Sequence, residues 1–302
     1  MKVKIDPPVS LYEIGNRPNQ EDALFPEPGK ATENNDVFVL CDGMGGHADG
    51  EKASRVVADT LGQPDDKSQN FTIEDFESKL NEAYDRLDEA DNGEARKMGT
   101  TFCYLRFNNA GCLVAHMGDS RIYHIRPKER QILYKSKDHS LVQSLYDLGE
   151  ITREEMKNHP QKNIVTRVMQ PNLDVRHKPE IKQLTDLQEG DIIYMCSDGM
   201  LERMEDEDLI QFFADPSLKG EKITDALREA TNGNNDNHSA WIIRICEIVE
   251  ETTSRDNETT EQVTPTERTV TPKRQTQKKR YLTFWFILIV SFIISLIYSF
   301  LF

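Results

Sequence analysis

An apolar run, Val37-Phe38-Val39-Leu40-Cys41, passes straight into Asp42 and then into Gly43-Met44-Gly45-Gly46-His47, a turn with few side chains of its own. Such a run forms a strand and sets a carboxylate at its lip. Burying an Asp there is costly unless something pairs with it, and the glycines let main-chain atoms come close to a ligand. A divalent cation or a phosphate suits the place, and so does an ordinary Asp-Gly bend. The same grammar recurs. Ile192-Ile193-Tyr194-Met195-Cys196-Ser197 ends in Asp198-Gly199, Asp236 stands before the apolar run Ala240-Trp241-Ile242-Ile243, and Arg17-Pro18-Asn19-Gln20-Glu21-Asp22 gathers a cation and two acids on a turn. Four carboxylate-bearing strand ends in one chain suggest one shared site, and carboxylate oxygens are what Mg²⁺ and Mn²⁺ prefer.

Eight motifs stand in a fixed order: Arg17-Pro18-Asn19-Gln20-Glu21-Asp22, Asp42-Gly43-Met44-Gly45-Gly46-His47, Gly99-Thr100-Thr101, Gly118-Asp119-Ser120-Arg121, Asp138-His139-Ser140, Val165-Thr166-Arg167, Ser197-Asp198-Gly199 and Asp236-Asn237. In this set and order the chain resembles the metal-dependent protein phosphatases of the type 2C family over about residues 8–247, in the form of its bacterial branch. The resemblance implies a four-layer αββα sandwich, two antiparallel sheets flanked by helices. It also implies two Mn²⁺ or Mg²⁺ ions, with Asp42 bridging both, the Gly43 carbonyl on one, and Asp198 and Asp236 on the other. Glu21 and Asp22 would hold waters around the ions, and Asp119 would join Asp198 at a third, weaker position. Arg17 would orient the phosphoryl group of a phosphoserine or phosphothreonine protein, with water as the nucleophile. An ion pair of Arg17 with Glu21 or Asp22 is the plainer account of that residue. Eukaryotic members carry a proton-donating His two residues after the bridging Asp; here that residue is Met44, and His47 lies nearby. The alternative function is a silent phosphatase-like module that binds and regulates a partner.

Other motif residues have simpler expectations. Asp138 is expected to cap a helix start, Thr100 and Thr101 to pack beside the site, and Arg121 and Arg167 to pair with buried acids. Leu141 to Gln161 corresponds to the family's variable flap.

Composition narrows the partners. The net charge is −15, and the absence of a clustered basic face outside the tail excludes nucleic acid as the target. Cys41, Cys103, Cys112, Cys196 and Cys246 lie in apolar stretches with no Cys-x-x-Cys spacing, which reads as buried thiols in a reducing compartment.

The C-terminal end carries a second signal. Tyr281 to Phe302 contains no charge and, as a helix rising about 1.5 Å per residue, reaches roughly 33 Å, enough to cross a bilayer. Lys273, Arg274, Lys278, Lys279 and Arg280 precede it, so the positive-inside bias places the N-terminal domain in the cytoplasm. The expected organisation is a catalytic domain over 1–248, a disordered linker rich in Thr and charge over 249–280, and a single transmembrane helix over 281–302. Thr264, Thr266, Thr269 and Thr271 are candidate phosphorylation sites, although a solvated spacer accounts for them more simply. A phosphatase tethered in this way would oppose a serine/threonine kinase at the same membrane.

Periodicity predicts strands near 10–15, 36–41, 99–107, 111–117, 121–126, 130–135, 190–196 and 239–247. It predicts helices near 50–61, 72–91, 139–148, 152–158, 206–214 and 220–231. Short turns such as Asn108-Asn109-Ala110-Gly111 favour antiparallel hairpins. Without the resemblance, this pattern specifies only an α+β fold.

Overall fold

The computed structural model describes residues 1–45, 48–65, 70–93 and 98–250. The expected 281–302 span, the linker beyond Glu250 and His47 lie outside the described residues. Among those residues, no helix is long and apolar enough to cross a membrane.

Hairpins dominate because apolar runs alternate with tight turns. In one of them Asn108 pairs with Gly111 across a two-residue turn, and Asn108 Oδ1 accepts the Ala110 N–H at 3.0 Å. Gly111 sits at φ +124, where a Cβ would run into the Leu184 carbonyl, so only glycine fits this close approach. The hairpin joins β6 (Phe102–Asn108) to β7 (Gly111–Met117). Its sheet runs β10 (Glu180–Leu184), β7, β6, β4 (Val37–Met44), β3 (Asp22–Phe25), with β5 (Gly99–Thr100) paired to the end of β4. The second sheet runs β1 (Lys2–Ile5), β12 (His238–Val249), β11 (Ile192–Cys196), β8 (Arg121–Arg126), β9 (Gln131–Lys135), with β2 (Val9–Glu13) also on β12. Every pairing is antiparallel.

Helices α1 (Ala48–Gly62) and α2 (Ile73–Ala90) cover the first sheet, and α5 (Asp206–Ala214) and α6 (Glu221–Ala230) cover the second. Two short helices, α3 (Leu141–Asp147) and α4 (Arg153–Asn158), occupy the expected flap. Three apolar layers hold the stack. Phe38, Leu40, Leu105 and Val114 meet Ile193, Met195, Trp241 and Ile243 between the sheets. Val39, Cys41 and Tyr104 pack on Val57, Phe76, Leu80, Ala83, Tyr84 and Leu87. Tyr194 and Ile242 pack on Leu209, Phe213, Ile223 and Leu227. The four-layer αββα sandwich is therefore the fold. Strand β4 is covered on both faces, which is why its apolar run does not alternate. Each large side chain buried there contributes roughly 1.5–3 kcal/mol. Trp241 also ties the sheets together, its indole N–H donating to the Val39 carbonyl at 3.2 Å.

Three strands were not expected. β1 and β10 are short, charged edge strands, and β3 opens on an Asp, so none carries a clear apolar signature. Cys246 is half-buried while the other four cysteines are buried, because it lies toward the end of β12.

Candidate active site

The site begins with a cross-strand pair. Asp42 on β4 stands opposite Asp22, the first residue of β3. Like charges directly opposite on antiparallel strands repel, and the sheet keeps both. β4 does not stop at residue 41 as expected: Gly43 and Met44 pair with Thr100 and Gly99 of β5, which carries Asp42 within the ladder. The Asp42 main chain is fixed from both sides. Its N–H donates to Thr101 Oγ1 at 3.1 Å, and its carbonyl accepts the Thr100 hydroxyl and the Thr101 N–H, each at 2.9 Å. Thr100 and Thr101 thus pack beside the site as expected. Gly43 donates to the Glu21 carbonyl at 3.0 Å, and a Cβ on it would strike the Gly50 carbonyl. That contact makes residue 43 glycine.

Asp198 opens a 3-10 turn directly after β11. Ser197 beside it donates its hydroxyl to Asp22 Oδ2 at 2.9 Å, linking one sheet's strand end to the other's. A Cβ on Gly199 would collide with the Asn237 carbonyl, so the Asp198 turn and the mouth of β12 pack main chain to main chain. Asp236 stands at that mouth, where its Oδ1 accepts the Asn237 N–H at 2.8 Å. Asp119 lies in the β7–β8 turn after Gly118. The resulting crowding is severe. Burial, then the charges of Asp22, Asp198, Asp119 and Asp236, hold the Asp42 carboxyl well above its ordinary range. Burial pushes Asp22 up to about 7 against the opposing hydrogen bonds of Ser239 and Ser197. Burial and Asp198 raise Asp119 to about 8, and burial and Asp236 raise Asp198 to about 6. Five aspartates therefore converge on one place, and their oxygens are the donors that hard divalent cations take.

Arg17, on the β2–β3 turn, donates from Nη2 to Asp236 Oδ2 at 2.6 Å. Its ion pair is with Asp236 and not with Glu21 or Asp22, because Asn237 folds the turn onto β12. The Asn237 side chain accepts the Glu21 N–H at 2.8 Å and donates to the carbonyls of Ile14 and Asn19 at 2.8 and 3.0 Å. About half of the Arg17 side chain remains exposed, so a ligand can reach it. The main chain of Glu21 is held by Gly43 and by Ser54, whose hydroxyl donates to its carbonyl at 2.6 Å.

Two expectations at neighbouring motifs change. Asp138 does not cap a helix. Ser140 caps α3, accepting the Gln143 N–H, and Asp138 takes a bidentate pair from Arg121 with both distances 2.7 Å. Arg167 faces the His139 ring and the Lys178 carbonyl, with no carboxylate partner among the described residues, because the chain after α4 brings it beside His139. Sequence reasoning missed Glu202, whose carboxylate accepts the N–H groups of Asn235 and Asp236 at 2.8 and 3.3 Å and so shapes the Asp236 loop. No local pattern marks it. Asn237 was visible in its motif but had no assigned task.

The fold and its carboxylate centre define a phosphohydrolase of the four-layer type. The family model for protein phosphatase 2C matches residues 13–232. The chain is 31% identical over 217 residues to protein phosphatase PhpP of Streptococcus pneumoniae, covering 70% of this chain and 86% of that protein. It is 30% identical over 213 residues to the serine/threonine protein phosphatase PstP of Mycobacterium tuberculosis, covering 67% of this chain and 37% of that one. The solved structure of the latter superposes with a TM-score of 0.68 at 26% identity, covering 81% of this chain and 100% of that one. A structure of the catalytic domain of PstP is a complex with 2 manganese ions, at 25% identity and a TM-score of 0.60, covering 82% of this chain and 100% of that one. The chain belongs to the protein phosphatase 2C family and is a protein-serine/threonine phosphatase, and the family's cofactors are two Mn²⁺ or Mg²⁺ ions.

Proposed function

We propose that this phosphatase hydrolyses phosphoserine and phosphothreonine in proteins at a dinuclear metal centre held by Asp42, the Gly43 carbonyl, Asp198 and Asp236, while tethered to the cytoplasmic face of a membrane. The observation that carries the catalytic part is the convergence of Asp22, Asp42, Asp119, Asp198 and Asp236, where burial and crowding raise the proton affinity of Asp22, Asp42, Asp119 and Asp198. A silent binding module has no need of so costly an arrangement. When bound, the two ions supply a water acidic enough to attack phosphorus, and positive charge for the attacking and leaving oxygens.

The chain's own residues do the rest. Asp42, its main chain held by Thr100 and Thr101, would ligate both ions, and Glu21 and Asp22 would orient solvent beside them. Asp119 would join Asp198 at a weaker third position. Arg17, steadied by Asp236, presents a planar guanidinium to the phosphoryl oxygens and fixes the direction of attack. Met44 has no proton to give, so the leaving oxygen takes its proton from a group other than the residue two positions after Asp42. The uncharged run at 281–302 after a basic cluster supports the tether, and a kinase at the same membrane would supply the phosphorylated substrates.

The test is phosphate release by the full chain from a phosphothreonine peptide. Release should require Mn²⁺, stop with EDTA, and fall at least about a thousandfold in Asp42→Asn, since the loss of one charge-stabilising group alone costs about 10²–10³. Release that persists in EDTA, or none from well-folded protein with Mn²⁺, refutes the enzymatic mechanism.

A further inference from the structure

The Gly118–Asp119 turn is gripped by one residue outside the carboxylate set. The His139 N–H donates to the Gly118 carbonyl at 2.9 Å, and the Gly118 N–H donates back to His139 Nδ1 at 3.1 Å. Gly118 is at φ +111, with the Thr101 side chain where its Cβ would be. Gly118, the residue leading into Asp119, therefore has Thr101 against one side and His139 bonded to both its N–H and its carbonyl. Beyond Asp119, Ser120 Oγ lies 2.7 Å from Thr101 Oγ1, so the following residue is anchored as well.

The His139 ring is itself fixed. It is buried and stacks on the His116 ring, with centroids 4.8 Å apart and planes 8° from parallel, and His116 Nε2 donates to the Lys137 carbonyl at 2.8 Å. The His139 carbonyl accepts the Thr166 N–H at 2.8 Å, which pins its main chain. Nδ1 receives the Gly118 N–H, while Nε2 stands 3.2 Å from Arg167 Nη1 and 3.5 Å from Glu180 Oε1. The donor atoms of His116, His139 and Glu180 lie within 4.8 Å of one another, as in a cation site. The Arg167 guanidinium beside Nε2 already supplies the positive charge there and opposes a cation. Burial, then His116 and Arg167, push His139 down to about 4, so the accepting form persists at neutral pH.

We infer that His139 is a positioning residue for the weaker metal position, setting the place of Asp119 through the Gly118 peptide. The inference rests on Asp119 holding a cation, as proposed above. Ligand geometry transmitted through such hydrogen bonds typically changes metal affinity by about 10–100-fold when it is lost.

The experiment is Mn²⁺ titration of the EDTA-stripped full chain, with free Mn²⁺ read by its paramagnetic resonance signal and folding checked by circular dichroism. His139→Leu removes the acceptor, whereas His139→Asn places Oδ1 where Nδ1 stands. If His139→Leu does not fold, His139→Gln replaces it, since it keeps the polarity and moves the acceptor by one carbon. Asp119→Asn should weaken the weakest Mn²⁺ step. His139→Leu should weaken the same step about tenfold, and His139→Asn by less than about threefold. A wild-type isotherm for His139→Leu, or equal impairment in His139→Asn, overturns the inference, the second outcome assigning the effect to ring packing. If Asp119→Asn itself titrates like wild type, the reading of Asp119 fails first and takes the inference with it.

Discussion

Asp22 and Asp42 face each other across two strands with no positive side chain between their register positions. The consequence reverses the usual behaviour of carboxylates in a folded protein. In the unfolded chain each titrates near the ordinary value of about 3.9. Folded and metal-free, Asp22 titrates at about 7, Asp119 at about 8 and Asp198 at about 6, burial being the first cause in each. Between about pH 4 and pH 8 the folded state therefore binds more protons than the unfolded state, and stability falls as pH rises. Asp191, where hydrogen bonds from His124 and Arg126 overcome burial, is held low and stays ionised across that window. His139, pushed down to about 4, and His116, also held low by burial, bind fewer protons than in the unfolded chain below about pH 6.5. They offset part of the slope there, the raised aspartates outnumbering them. The EDTA-treated chain should melt lower at pH 8 than at pH 5, and added Mn²⁺ should raise Tm more at pH 8. Asp42→Asn, which removes one of the crowded charges, should raise the metal-free Tm at pH 8 by a few degrees, since about 1 kcal/mol corresponds to roughly 2–4 °C at this size. A metal-free Tm that is flat or rising from pH 5 to pH 8 contradicts this account. The aspartates were legible as residues because strand ends and Asp-Gly pairs mark them. Their cross-strand register was not, since pairing partners twenty residues apart leave no local trace.

Among the described α-helices, α4 is the shortest. A helix of six residues is marginal in isolation, and its start is held by a capping box. Glu155 donates its N–H to Thr152 Oγ1 at 3.2 Å, and Glu155 Oε2 accepts the Thr152 N–H at 2.7 Å. Two ion pairs tie it to the start of α5, Lys157 to Glu205 at 2.6 Å and Arg153 to Asp206 at 3.2 Å. The first is more than half exposed on both sides, so it contributes about 1 kcal/mol or less. Thr152→Ala should therefore cost roughly 1 kcal/mol locally. Amide exchange over 153–158 should quicken while the global Tm stays within about 2 °C, because no large core side chain is lost. A global drop of several degrees would show that the flap is part of the cooperative core. The helices were legible to within two or three residues because caps and apolar spacing are local; α2 buries Phe76, Leu80, Ala83, Tyr84 and Leu87, which recur at the spacing of one helix face. Strands β1, β3 and β10 escaped because a short or edge strand takes its identity from a distant neighbour.

At the scale of the whole molecule, the sandwich brings ends of both sheets to one site, which is why a signal spread from Arg17 to Asp236 reports a single centre. The class of fold followed from hairpin-length turns; the order of strands within each sheet did not, since periodicity carries no pairing information. The proposed tether belongs to this scale too, because it sets where catalysis happens without touching the chemistry. If the proposed tether holds, a flexible linker of this length, with a mean span of roughly 30 Å, would confine the active site to a thin layer beside the membrane. Substrates in that layer would meet it at a raised effective concentration. The tether depends on an uncharged apolar run, and an Arg near its centre costs about 2.5–3.5 kcal/mol on the insertion scale. Ile289→Arg together with Ile293→Arg should therefore move the chain from carbonate-washed membranes to the soluble fraction. Mn²⁺-dependent hydrolysis of a soluble phosphothreonine peptide should stay within about twofold, since neither residue belongs to the carboxylate centre. Wild-type protein found in the soluble fraction, or a doubly charged variant still in the membrane, refutes a single apolar anchor.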